Sequence, residues 1–133
     1  MLRHLLAPTV EVSAHCDLPC GVYDPAQARI EAESVKMIIQ KANASDDPDF
    51  RARAIVIKEE RSELVKHHLW VLWTDYFKPP HFEKYPQLHT LFNEATKLAG
   101  AAGTKGHWDV AKADELLAKI DEIATIFAET KQS

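Results

Sequence analysis

Two aspartate–proline steps set the frame for this chain. Asp24–Pro25 and Asp47–Pro48 each put a side-chain acceptor directly before the residue best suited to a first helical position. Behind each step the apolar residues recur at helical spacing, and no stretch alternates as a strand would. The first segment carries Ile30, Met37 and Ile38, with Ala26 and Ala42, and reaches about Asn43. The second is long, with Phe50, Ala54, Ile57, Leu64, Val65, Leu69 and Leu72 on one face, and stops near Tyr76 ahead of Pro79–Pro80. "KPPHFEKYP" reads as a rigid connection, and Pro86 can start a third helix faced by Leu88, Leu91, Phe92, Ala95 and Leu98. Gly100, Gly103 and Gly106 break the chain before a fourth helix, from about Asp109 to Glu129. Its inward set is Ala113, Leu116, Leu117, Ile120, Ile123, Ala124 and Phe127. Four amphipathic helices with short connections predict an all-α chain folded as a four-helix bundle.

Length and charge narrow the function classes. At 133 residues, 46% of them hydrophobic, the chain suits one domain with a packed core. A net charge of −4 leaves no basic excess to neutralise phosphates, which argues against nucleic acid as a partner. No apolar run approaches the roughly 20 residues of a membrane span. The start, "MLRHLLAPTVEVSA", has a basic residue, a short apolar stretch and a small-residue end. Pro8 and Glu11 cut that stretch short of a secretory core, so residues 1–14 read as a removable leader that does not target the membrane.

The run "SAHCDLPCGVYDP", Ser13 to Pro25, holds both cysteines of the chain. His15 stands directly before Cys16, and Cys20 follows with three residues between the thiols. Pro19 and Gly21 favour a bent backbone that can bring two sulfurs together. Three outcomes stay open for such a pair: a local disulfide, a metal site, or inert thiols. Zinc wants four side-chain ligands, and the run offers three at most. A planar ion can use backbone nitrogen instead. Were His15 the first residue, its amine, the Cys16 amide nitrogen and the two sulfurs would make a square of two nitrogens and two sulfurs. That donor set points to nickel(II) or copper(II), with the imidazole able to approach axially. Elsewhere, His67 and His68 read as surface or packing residues, Phe50, Trp70 and Trp73 as core, and His81 and Tyr85 as structural parts of the connection.

"HCDLPCGVYDP" resembles the nickel-binding hook of the nickel-containing superoxide dismutases, and the resemblance runs on through "AQARIEAESVK", "IKEERSELVKHH" and "LWTDYFKPPHFEKYP". It weakens after Gly100. The resemblance implies a leader over residues 1–14, cut off by a dedicated protease, and an enzyme domain over 15–133, with a hook over 15–23 and the bundle over 24–133. It makes His15, Cys16 and Cys20 the ligands of one nickel ion per chain. It assigns Glu31 and Arg61 to a pair that orients the His15 ring, Asp17 and Tyr23 to the substrate approach, and Tyr76 to the surrounding hydrogen-bond shell. Leu18–Pro19 matches a peptide that is cis in the family. It also implies a cytoplasmic homohexamer.

The activity implied is disproportionation of superoxide to oxygen and hydrogen peroxide by cycling between nickel(II) and nickel(III). Anionic sulfur and amidate donors would make the higher oxidation state accessible, which aqueous nickel does not reach. The competing reading of the same residues is a non-catalytic helical module that carries metal or forms a disulfide. In the uncut chain the His15 nitrogen is a peptide amide substituted by Ala14, so the square of donors requires the leader's removal.

Overall fold

The computed structural model describes residues 20–104 and 107–132, and among them the regular structure is all helix. Helix α1 spans Ala26–Asn43, α2 Pro48–Val71, α3 Pro79–Lys84, α4 Leu88–Ala99 and α5 Val110–Lys131. Two π-helical turns extend α2 and α4, at Leu72–Tyr76 and Gly100–Thr104. The helix starts are local events. Asp24 Oδ1 accepts from the Ala26 amide at 2.8 Å, Asp47 Oδ1 from Asp49 at 3.0 Å, and Asp109 Oδ1 from Ala111 at 2.9 Å. Each satisfies an amide that the helix itself leaves without a partner. The connection after Tyr76 is partly helical: it forms α3, opened by the Lys78 amide donating to His81 Nδ1 at 3.0 Å. Pro86 lies in the turn before α4, which begins at Leu88.

The four long helices pack in a ring. α1 lies against α2 and α5, and α4 lies against the same two helices. This is the expected four-helix bundle, with α3 added to one connection. The main core joins Val65, Leu69 and Leu72 of the α2 segment to Leu88, Leu91 and Phe92 of α4 and to Leu116, Ile120 and Ile123 of α5. A second cluster at the other end holds Val35, Ile39, Ala102 and Ala113, with Trp108 packed against it.

The inward faces differ from the expected ones in instructive ways. α1 buries Ala28, Ala32, Val35, Ile39 and Ala42, while Ile30 is 60% and Met37 50% exposed and Ala26 is exposed. The seam has the alternating four–three spacing of close-packed helices, but it is built largely of alanine, which lets α1 approach α2. Counting large side chains therefore selects the wrong stripe. In α2, Phe50 is exposed, and the buried line runs through Ala54, Lys58, Ser62, Val65 and Leu69. Trp70 and Trp73 are also exposed rather than core.

Gly100 and Gly103 do not end α4. They are buried in its π turn, where a Cβ added to Gly103 would overlap the side chain of Ser62 and come 3.3 Å from the Lys58 carbonyl oxygen. Glycine here is a requirement of close helix approach, not a chain break. Lys58 crosses the same contact: its Nζ donates to the His107 carbonyl at 2.7 Å and lies 4.6 Å from the centre of the Trp108 ring. Burial pushes its ammonium pKa down from 10.5, with Glu59 opposing.

Candidate metal centre and its hydrogen-bond shell

Cys20 opens the described chain at the entrance to α1, and its side chain is exposed. Gly21 has φ +70°, a left-handed conformation that glycine adopts without strain. The resulting bend aims the Val22 amide at Cys20 Sγ, at 3.4 Å. The same sulfur lies 3.8 Å from the Val22 carbonyl oxygen, so the turn holds Cys20 Sγ against the Val22 backbone. His15, Cys16 and Asp17 lie outside the described residues, as do the Leu18–Pro19 peptide and the leader. Among the described residues no three His, Cys, Asp or Glu side chains converge to hold a metal. The sequence just ahead of Cys20 offers the Cys16 sulfur and His15 nitrogen as further donors. That set fits a borderline ion such as nickel.

The structure assembles the expected surrounding residues as two pairs. Glu31 on α1 faces Arg61 on α2, across the alanine-lined seam. Arg61 Nη1 donates to both carboxylate oxygens, at 3.3 and 3.2 Å. The Glu31 side chain is only 16% exposed and that of Arg61 38%, so the pair is shielded without being buried. One nitrogen serves both oxygens, a looser arrangement than a parallel two-nitrogen fork.

Tyr23, three residues before α1, packs on Tyr76 with ring centres 5.6 Å apart. Tyr76 is the last residue of the π turn that extends α2, a kind of distortion frequent at functional sites. Its ring is held on several sides: Phe127 at 4.5 Å, Phe77 at 5.0 Å, and His81 stacked at 5.8 Å with an interplanar angle of 11°. The Lys131 ammonium lies 5.0 Å from its ring centre. Tyr76 Oη is 2.7 Å from Thr130 Oγ1. Sequence reasoning missed Thr130, Phe127 and Lys131 as neighbours of this tyrosine. They come from the far end of α5, and nothing local links them to it.

His81 and Tyr85 have the structural roles expected of them. His81 starts α3 and stacks on Tyr76, and the Tyr85 hydroxyl donates to Glu129 at 2.7 Å, tying the connection to α5. His67 is exposed on α2, its ring 5.6 Å from that of His68.

The chain and its fold have counterparts in known proteins. The family model for nickel-containing superoxide dismutase matches residues 10–131. The nickel superoxide dismutase of Streptomyces seoulensis is 64% identical over 133 residues, all of both chains. That of Streptomyces coelicolor is 62% identical over the same full length. A native nickel superoxide dismutase structure superposes with a TM-score of 0.85 at 61% identity, covering 90% of this chain and all of that one. A structure with nickel ligation corresponding to the oxidised state gives the same TM-score and coverages at 64% identity. With a helical bundle that starts just after Cys20, this chain belongs to the nickel-containing superoxide dismutase family.

Proposed function

We propose that this chain disproportionates superoxide to oxygen and hydrogen peroxide at a nickel site in the hook, after residues 1–14 are removed. The observation that carries the reading is the exposed Cys20 thiol at the mouth of α1, with the sequence His15-Cys16 ahead of it and the Tyr23–Tyr76 pair behind. His15 (through amine and imidazole), Cys16 (through sulfur and amide nitrogen) and Cys20 would hold the metal. Bound nickel supplies a one-electron couple between its divalent and trivalent states.

The protein's own residues do the rest. The Glu31–Arg61 pair would hold the His15 imidazole in a fixed direction, since a hydrogen-bonded partner sets both ring orientation and tautomer. Tyr23 and Asp17 line the approach of superoxide, and Tyr76 braces Tyr23 from behind. Dismutation of two superoxide anions takes up two protons, so hydroxyl groups beside the hook have a second use as proton relays. The competing reading, a metal carrier without turnover, gives no reason for a braced tyrosine pair beside the thiol.

Leader removal is supported by the chemistry of the terminus. An amide nitrogen bearing Ala14 lacks the lone pair that a free amine offers. The cut requires a protease as partner. We further propose a cytoplasmic homohexamer. Ile30, Met37, Phe50, Val56, Trp70 and Trp73 are exposed on one subunit and are available to contacts between subunits. No helix among the described residues is long and apolar enough to cross a membrane.

The test compares the chain beginning at Met1 with the chain beginning at His15, each given equal nickel. Superoxide removal should appear only in the shortened chain, and Cys16→Ser or Cys20→Ser should abolish it while the helical circular dichroism persists. Equal activity of the two chain lengths would show that the free amine is not required.

A further inference from the structure

Tyr76 and Thr130 share a hydrogen bond whose direction two distances decide together. Across the 2.7 Å between Tyr76 Oη and Thr130 Oγ1, either hydroxyl could donate. Thr130 Oγ1 is also 2.7 Å from the Phe127 carbonyl oxygen, which has no hydrogen to give. Two oxygens that close attract only with a hydrogen between them, and a threonine hydroxyl carries one. The Thr130 proton therefore goes to Phe127, and Tyr76 gives its own proton to Thr130. Phe127, Phe77 and His81 enclose the Tyr76 ring, which fixes where its hydroxyl oxygen sits relative to Thr130.

We infer that Thr130 is a positioning residue for the dismutation: by taking the Tyr76 proton, it makes Tyr76 a hydrogen-bond acceptor toward the hook. Any hydrogen bond between the Tyr76 oxygen and the substrate side, from the Tyr23 hydroxyl or from water, must then run toward Tyr76. Tyr76 is not a direct proton donor to the forming peroxide while that bond holds. The proton on the substrate side then belongs to Tyr23 or to water, and toward either one the Tyr76 oxygen can offer only a lone pair. The inference rests on the reading of Tyr23 and Tyr76 as neighbours of the reacting site.

The experiment uses the shortened chain, with and without nickel, and the variants Thr130→Val, Thr130→Ser and Tyr76→Phe. Ultraviolet resonance Raman reads whether a phenol donates, through the intensity ratio of the tyrosine doublet. The chain has three tyrosines, and Tyr85 donates to Glu129, so spectra are taken with Tyr85→Phe to leave two. The parent should show a donating Tyr76, identified by subtracting the Tyr76→Phe spectrum, and Thr130→Val should abolish that signature with or without nickel. Thr130→Ser, which keeps the hydroxyl, should preserve it. Turnover per nickel should fall about fivefold in Thr130→Val, the equivalent of one hydrogen bond. It should return in Thr130→Ser and fall no further when Thr130→Val is added to Tyr76→Phe. An unchanged doublet in Thr130→Val would overturn the assigned direction. Equal losses in the valine and serine variants would make Thr130 a packing residue and overturn the positioning role. A shifted doublet with parent-level turnover in both Thr130→Val and Tyr76→Phe would instead remove Tyr76 from the reaction, and the role with it.

Discussion

Removing Arg61 separates a structural ion pair from one that serves the site. The Arg61 Nη1–Glu31 distance of 3.2 Å corresponds to a gross attraction of about 5 kcal/mol at an effective dielectric constant near 20. Desolvation and side-chain ordering offset most of it, and measured values for exposed pairs are about 0.2–1 kcal/mol. With the arginine side chain 38% exposed, the net value should sit near the upper end of that range. Arg61→Ala should therefore cost about 1 kcal/mol of stability, or roughly 4 °C in melting temperature for a chain of this size. Turnover should respond far more strongly. Loss of a partner that orients a metal-ligating histidine costs about 10–100-fold in affinity or activity, equivalent to about 1.4–2.7 kcal/mol in the barrier. Because a single nitrogen makes both contacts, Arg61→Lys can keep one of them and should retain more activity than Arg61→Ala. Glu31→Gln, which keeps an acceptor oxygen but loses the charge, should lie between. The assay is stopped-flow decay of superoxide, normalised to nickel measured in the same sample and paired with a thermal melt. An Arg61→Ala protein that melts a few degrees early yet turns over at the parent rate per nickel would refute the orienting role.

Two further predictions concern the bundle. Gly103→Ala should destabilise by at least about 3 kcal/mol, the upper end of ordinary overpacking, because the added methyl meets the root of Ser62 rather than a flexible tip. Chemical denaturation of Gly103→Ala, alone and with Ser62→Gly, should show a partial rescue in the double variant, and additive losses would contradict the contact. Burial lowers the Lys58 pKa from 10.5, so between the lowered value and 10.5 the unfolded chain holds more proton at this site than the folded one. The contribution of Lys58 to stability should then rise with pH through that window. The stability difference between the parent and Lys58→Met should shift in the parent's favour as pH climbs from neutral toward 10.5, and a flat difference would refute the assignment.

What could be read from the sequence divides along the range of the interactions involved. Asp47 and Asp109 act on amides two residues away, so the starts of α2 and α5 are visible in the order of residues alone. The α1 seam is different. Ala28, Ala32 and Ala42 are buried because α2 comes close, and α2 can come close because they are small. Neither half of that condition is visible in α1 by itself, where Ile30 and Met37 look like the better core residues. Lys58 in the buried line of α2 has the same origin: its charge is tolerable only where the His107 carbonyl and the Trp108 ring, about fifty positions later, close over it. Gly103 reads as a break and is in fact a contact, since its meaning depends on Ser62.

The site is divided along the same line. The proposed metal donors occupy one contiguous run, because a turn of a few residues suffices to bring two sulfurs and two nitrogens together, and such a run stands out in a sequence. The surrounding shell cannot be contiguous. Glu31 and Arg61 stand 30 positions apart and Tyr76 and Thr130 stand 54 apart, and each pair meets only because two helices pack. Resemblance identifies Glu31, Arg61 and Tyr76, while Thr130 emerges from the fold alone. The division has a physical consequence. A short peptide with the hook's donors could bind the metal, but it would lack any fixed group to orient the imidazole or to set the direction of the hydrogen bonds facing superoxide. Those functions need side chains that hold still on the scale of a hydrogen bond, and here that stillness comes from helix packing. In the proposed site the run of donors would determine which metal can bind, and the bundle how that metal is surrounded.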